Sequence, residues 1–140
     1  MNKQRVLILC TGNSARSQMA EGLLRHEAGD RFDVYSAGTR PSVVRPEAIA
    51  AISEIGVDIS GHRSKSVDEF AGEEFDYVIT VCDSAKQSCP VFPAKTVRMH
   101  WSIEDPAAVV GPEAERKAVF RKVRDRLHGR IMVFVAEGKA

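Results

Sequence analysis

Cys10 and Arg16 stand at the two ends of the stretch CTGNSAR, with Gly12 and Asn13 between them and Ser17 directly after. A thiol and a guanidinium placed across one short loop can attack and hold the same small oxyanion. Such a loop must wrap. Gly12 allows a positive φ, and Asn13 is the next most tolerant residue of the left-handed region. A wrapped loop turns several backbone N–H groups inward, and the helix N-terminus that follows completes an anion cradle. Thr11, Gly12, Asn13, Ser14, Ala15 and Arg16 would line it, and Arg16 adds a planar fork that matches two oxygens of a tetrahedral anion. In that positive field Cys10 is expected to ionise easily, its pKa falling from roughly 8.5 to roughly 3.5–7.5. Ser17 is placed to donate a hydrogen bond to the thiolate. A lone cysteine is more often an inert buried hydrophobe. On that reading Gly12, Asn13 and Arg16 would be coincidences.

The elements that must position these residues follow from periodicity. Residues 5–10, RVLILC, form a continuous apolar run of the kind found in a strand buried on both faces. Residues 17–29 carry Met19, Ala20, Leu23 and Leu24 at helical spacing, with Gly29 as a stop. Residues 32–38 alternate as a second strand. Pro46 opens a helix with Ile49, Ile52 and Ile55 on one face and Gly56 as its end. Residues 75–82 read as a third strand ending in Cys82, and 95–100 as a shorter fourth. From Pro112 to about Val135 a long helix carries the stripe Val119, Phe120, Val123, Leu127, Ile131 and Phe134. The irregular stretches are 39–45, 82–94 and 101–111. Strand–helix alternation predicts a single α/β domain over residues 1–140, three-layered, with a four-stranded parallel sheet flanked by helices on both faces. Ligands of such sheets bind beyond the carboxyl ends of the strands, where Cys10, Cys82 and Asp105 are expected to converge.

Composition excludes several classes. The chain has 140 residues, a formal net charge of +1 and 44% hydrophobic residues, which suits one soluble domain without a field that recruits nucleic acid or membrane. The basic residues between Arg116 and Arg130 are expected to be the solvated face of an amphipathic helix. No apolar run approaches the roughly 20 residues that span a bilayer, and no signal peptide is read, so the expected location is cytoplasmic. Three cysteines, Cys10, Cys82 and Cys89, do not suit a structural disulfide framework. Nor do Cys82 and Cys89 have a histidine at zinc-ligand spacing, so no metal site is expected. Seven residues apart in a polar segment, these two are close enough to form a disulfide.

CTGNSARS together with Asp105-Pro106 resembles the low-molecular-weight tyrosine phosphatase family. Within it the chain most resembles the thioredoxin-coupled arsenate reductases, through ILCTGNSARSQMAEG, SAGT, GVDISGHRSKS, FDYVITVCD, CPVFP and HWSIEDP. The resemblance implies that Cys10 is the nucleophile and that Arg16 and the amides of 11–16 hold the oxyanion. Ser17 would tune the thiolate and Asp105 protonate the departing oxygen. It further implies a cascade in which Cys82 resolves the Cys10–arsenic adduct, Cys89 resolves the Cys10–Cys82 disulfide, and thioredoxin reduces the Cys82–Cys89 disulfide. No resident cofactor is implied, and a monomer is expected. A phosphatase of this fold is the alternative; it needs one thiol, and it grips its substrate with aromatic residues, whereas Ala107, Ala108, Val109 and Val110 follow Pro106. A thiol sensor would explain Cys82 and Cys89 but not the cradle and the acid. Some relatives bind potassium near the loop through an acidic residue; Lys65 in RSK is expected to replace that cation. Trp101 is expected to pack beneath the acid loop, His100 to be structural, and His62 to brace the loop with Asn13 and Ser36.

Overall fold

The computed structural model describes residues 3–82 and 96–137. Four strands, β1 (Gln4–Cys10), β2 (Phe32–Gly38), β3 (Tyr77–Thr80) and β4 (Val97–His100), form one parallel sheet in the order β2-β1-β3-β4. The continuous apolar run of β1 has a direct cause. β1 is central, and Val6, Leu7, Ile8 and Leu9 are all fully buried. Register places Cys10 beside Gly38, and Leu9 beside Thr80, which in turn faces His100. The carboxyl ends of all four strands therefore share one rim, as expected.

Helices α1 (Arg16–Ala28), α2 (Pro46–Ser53) and α3 (Glu113–Glu137) pack against one another. On their side of the sheet Phe32, Tyr77 and Trp101 meet Phe134 of α3. On the other side Tyr35 packs edge-on against Phe70 and Phe75, under a 3₁₀ helix at Val67–Phe70. Trp101 is buried just ahead of the acid loop.

Several boundaries differ from the sequence reading. β3 is Tyr77–Thr80 rather than 75–82, because the ladder ends with the Val81 N–H on Leu9 O and the chain then leaves toward β1's end. Cys82 thus lies two residues beyond the strand. Ile55 is not on the buried face of α2; it is 41% exposed, because the helix ends at Ser53 and Gly56 reverses the chain at φ +84. Ala48, Ala51 and Ile52 are buried in its place. Gly29 ends α1 with a right-handed backbone, not a left-handed one, and is needed sterically: a Cβ there would lie 2.4 Å from Arg25 O.

In α3 the expected stripe is buried except for Val119, which is partly exposed, and Arg124 joins it, donating to Ala51 O at 2.8 Å and Glu54 at 2.9 Å. Arg116 pairs with Glu47, Lys117 with Glu113, Arg121 with Glu54 and Arg126 with Glu104. The basic face is therefore largely neutralised within the chain. No described helix is long and apolar enough to cross a membrane.

Candidate active site

The loop between β1 and α1 owes its shape to where its carbonyls go. Cys10 O, Thr11 O, Gly12 O and Ser14 O accept backbone N–H groups from Thr39, Arg40, Ser42 and Arg45 at 2.8–3.2 Å. Asn13 O accepts from Gln18 Nε2 at 3.2 Å, and Ala15 O from Met19 N at 2.9 Å in the first turn of α1. In a trans peptide the C=O and the following N–H point opposite ways. Anchoring all six carbonyls outward therefore turns the N–H groups of residues 11–16 to the other side, as the cradle requires. The segment 39–45, unassigned in the sequence reading, is what does most of this anchoring.

The left-handed residue is Asn13, at φ 47, and not Gly12. Both residue types tolerate that region, so the choice rests on side-chain bonds. Asn13 is fully buried; its Nδ2 donates to Ser17 Oγ at 2.7 Å and Ser36 Oγ at 3.0 Å. Its Oδ1 accepts from Gln18 Nε2 and from the Lys65 N–H, each at 2.9 Å. These bonds hold an asparagine in a conformation that costs most side chains about 1–2 kcal/mol. Accepting from Asn13 leaves the Ser17 hydroxyl proton free to be directed elsewhere. His62 belongs to this network, but through Gln18: its Nδ1 donates to Gln18 Oε1 at 2.9 Å, and Arg25 Nη1 approaches its Nε2 at 3.2 Å. Burial first, then the Arg25 and Lys65 charges, press the imidazole toward its neutral form, against the pull of Glu21.

Glu21, 5% exposed, anchors the far side of the network. It accepts from Ser36 Oγ and, at 2.6 Å, from Arg25 Nη2. Lys65 Nζ lies 3.8 Å from Glu21 and donates to Arg63 O at 3.1 Å. A positive charge thus stands beside the buried carboxylate as part of the chain. Gly38 is a further requirement. A Cβ there would lie 2.5 Å from Thr11 O and 2.9 Å from Asn13 N, so only glycine lets β2 end this close to the loop.

Cys10 and Cys82 are both free and buried, near enough for each to act on the other's ionisation. Thr11 Oγ1 lies 3.2 Å from Cys82 Sγ. Here the expectation of a lowered Cys10 pKa is corrected. The neighbouring Cys82 thiol and burial push the Cys10 thiol up, outweighing Arg16 and the Thr11 amide, which pull it down. Two thiols this close lose their protons in steps that belong to the pair. Cys89 lies outside the described residues.

Arg16 has a side chain only 12% exposed; its Nη1 donates to Ile103 O at 3.0 Å and its Nη2 lies 3.7 Å from Asp105 Oδ2. The guanidinium therefore joins the cradle to the loop that carries the acid. Asp105 Oδ1 accepts the Ala107 N–H at 3.0 Å, capping the short turn Pro106–Ala108. Its other oxygen faces Arg16, and the side chain is 45% exposed. Among the described residues, a cavity of about 290 Å³ beside this turn is lined by Pro106, Ala107, Val109 and Val110, by the charged Arg45, Glu47 and Arg116, and by Phe120 as the one aromatic residue. Phe120 is 1% exposed and belongs to the α3 packing. Cys10, Arg16, Cys82 and Asp105 are thus gathered on one rim, and that arrangement can hold a tetrahedral anion beside two thiols and a carboxyl group. The sequence reading missed Gln18, Glu21, Gly38 and the 39–45 segment. Only the placement of Gly38 in SAGT, at a strand end, was a usable signal.

Residues 5–139 match the low molecular weight phosphotyrosine protein phosphatase family. The arsenate reductase of Halalkalibacterium halodurans is 46% identical over 139 residues, covering 99% of this chain and all of that protein. The solved thioredoxin-dependent arsenate reductase of Corynebacterium glutamicum superposes with a TM-score of 0.76 at 29% identity, over 96% of this chain and 61% of that one. A low molecular weight protein tyrosine phosphatase from T. tengcongensis superposes with a TM-score of 0.81 at 27% identity, over 96% and 99%. The backbone alone therefore does not separate the two activities.

Proposed function

The chain belongs to the low molecular weight phosphotyrosine protein phosphatase family, and from that premise we propose that it is an arsenate reductase recycled by thioredoxin. One observation carries this choice between the two activities of the fold: a second free, buried thiol, Cys82, stands against the loop that begins at Cys10, its Sγ 3.2 Å from Thr11 Oγ1. A phosphatase uses one thiol. Reduction of As(V) to As(III) takes two electrons, which two thiols supply by becoming a disulfide.

The cradle amides of residues 11–16 and the Arg16 fork hold arsenate, and the Cys10 thiolate attacks arsenic. Asp105 gives its proton to the departing oxygen, which leaves as water. Cys82, as thiolate, then attacks Cys10 Sγ. The sulfur–arsenic electron pair passes to arsenic, arsenite leaves, and a Cys10–Cys82 disulfide remains. Cys89 attacks Cys82, freeing Cys10 and forming the Cys82–Cys89 disulfide that the dithiol of thioredoxin reduces. Each step needs one thiolate at a time. Thr11 Oγ1, 3.2 Å from Cys82 Sγ, can stabilise the second thiolate. The electrons come from the chain's own thiols and an external donor, so no resident cofactor is required, and Lys65 supplies beside Glu21 the charge a potassium ion would bring. All groups lie on one chain, consistent with a monomer working in the cytoplasm, where thiols stay reduced.

The phosphatase reading shares Cys10, Arg16 and Asp105. It is disfavoured because, among the described residues, the buried Phe120 is the one aromatic residue lining the cavity beside the acid turn. Arsenate-dependent NADPH oxidation in the presence of thioredoxin and thioredoxin reductase tests the choice. Repeated turnover of arsenate supports the reductase. Hydrolysis of an aryl phosphate without arsenate turnover would make the phosphatase the better reading.

A further inference from the structure

Ser64 had no part in the sequence reading, yet it meets the cradle at its weakest peptide. The segment 39–45 anchors the loop through a ladder that loses step in the middle: Thr39 serves Cys10 and Arg40 serves Thr11, but Pro41 has no N–H to offer. Ser42 must then serve Gly12 O, at 3.0 Å, and its N–H is shared with Ser64 Oγ at 2.9 Å. The Ser42 hydroxyl helps little, at 3.4 Å from Gly12 O. Ser64 Oγ repairs the gap by donating to Gly12 O at 2.9 Å.

This peptide is also the one freest to rotate. Gly12 has no Cβ to restrict ψ, and the next residue, Asn13, sits at φ 47. The direction of the Gly12 carbonyl decides the direction of the Asn13 N–H, one of the cradle donors. Ser64 is itself well held. The neighbouring Lys65 donates its N–H to Asn13 Oδ1 and accepts the Gly38 N–H at 2.8 Å.

We propose that Ser64 is a positioning residue for the oxyanion cradle, its hydroxyl splinting Gly12 O to the Ser42 amide so that the Asn13 N–H stays aimed at the bound anion. The proposal rests on the reading of residues 10–16 as the oxyanion site, and inorganic phosphate is the probe that separates the two.

Phosphate affinity is measured by calorimetry on the reduced full chain for wild type, Ser64→Ala and Ser64→Thr, each with its thermal unfolding curve. The wild type should bind phosphate. Ser64→Ala should weaken binding by about 3–10-fold, the worth of one ordinary hydrogen bond. In turnover, KM for arsenate should rise by a similar factor with a smaller fall in kcat. Ser64→Thr, which restores the hydroxyl, should recover most of the affinity. Wild-type affinity in Ser64→Ala, or no recovery in a folded Ser64→Thr, overturns the proposal. A wild type that binds no phosphate overturns the oxyanion site itself.

Discussion

Gly38→Ala inserts one methyl group where β2 ends against the catalytic loop. The new Cβ would lie 2.5 Å from Thr11 O, 2.9 Å from Asn13 N and 3.0 Å from Asn13 Cβ. Two of these atoms are backbone, and the third belongs to a side chain held by four hydrogen bonds. None can swing aside. Opening the shortest contact to ordinary van der Waals separation takes a shift of roughly 1 Å. Overpacking of this kind costs about 1–3 kcal/mol, within the usual stability of about 5–15 kcal/mol, so the variant should still fold. The displaced atoms are those of the cradle, and a shift of about 1 Å at a reacting centre can lower the rate about 10²-fold. Urea unfolding with steady-state arsenate turnover gives both quantities. The expected outcome is a modest loss of stability with a disproportionate loss of kcat/KM. A folded variant with kcat/KM within twofold of wild type would refute the claim that loop geometry is set by this contact.

Arg16→Lys keeps the charge but loses the planar fork and its bond to Ile103 O; phosphate binding should weaken and turnover fall steeply, and unchanged kinetics would place the anion elsewhere. Asp105→Asn should slow adduct formation by about 10²–10⁴-fold, measured in single turnover, while leaving the Ala107 cap able to form; an unaffected first step would make Asp105 structural. His62 has its pKa below the ordinary 6.5, so the unfolded chain binds the proton first. Its contribution to stability is complete above about 6.5 and is lost as pH falls through the lower folded value. Thermal midpoints between pH 7 and 5 should therefore slope less in His62→Gln than in wild type; equal slopes would show that another group titrates there.

The parts of the fold legible in the sequence are those whose causes are local. Val6 to Leu9 form an unbroken apolar run because β1 is covered on both sides, and Pro46 and Gly56 bracket a helix by their own backbone preferences. CTGNSARS is legible as a cradle for the same reason, since loop, helix start and guanidinium are contiguous. What the sequence left open or concealed depends on distant partners. The left-handed residue is Asn13 rather than Gly12 because Ser36, Gln18 and Lys65 capture its side chain. The Cys10 thiol is held up rather than down because β3 delivers Cys82 to it, 71 residues from the neighbouring Thr11. Ser64 and Gly38 act through contacts that strand register creates, and neither residue type announces such a role.

The central claim is that reducing equivalents pass from Cys10 through Cys82 to Cys89. It is tested most directly by mass spectrometry of tryptic peptides after one exposure of the fully reduced protein to arsenate, with no thioredoxin present. Wild type should yield a Cys82–Cys89 link and one equivalent of arsenite, whereas Cys89→Ser should yield one equivalent of arsenite and stop with a Cys10–Cys82 link. Arsenite release without any disulfide at Cys82, or continued turnover of Cys89→Ser when thioredoxin is supplied, would contradict the account.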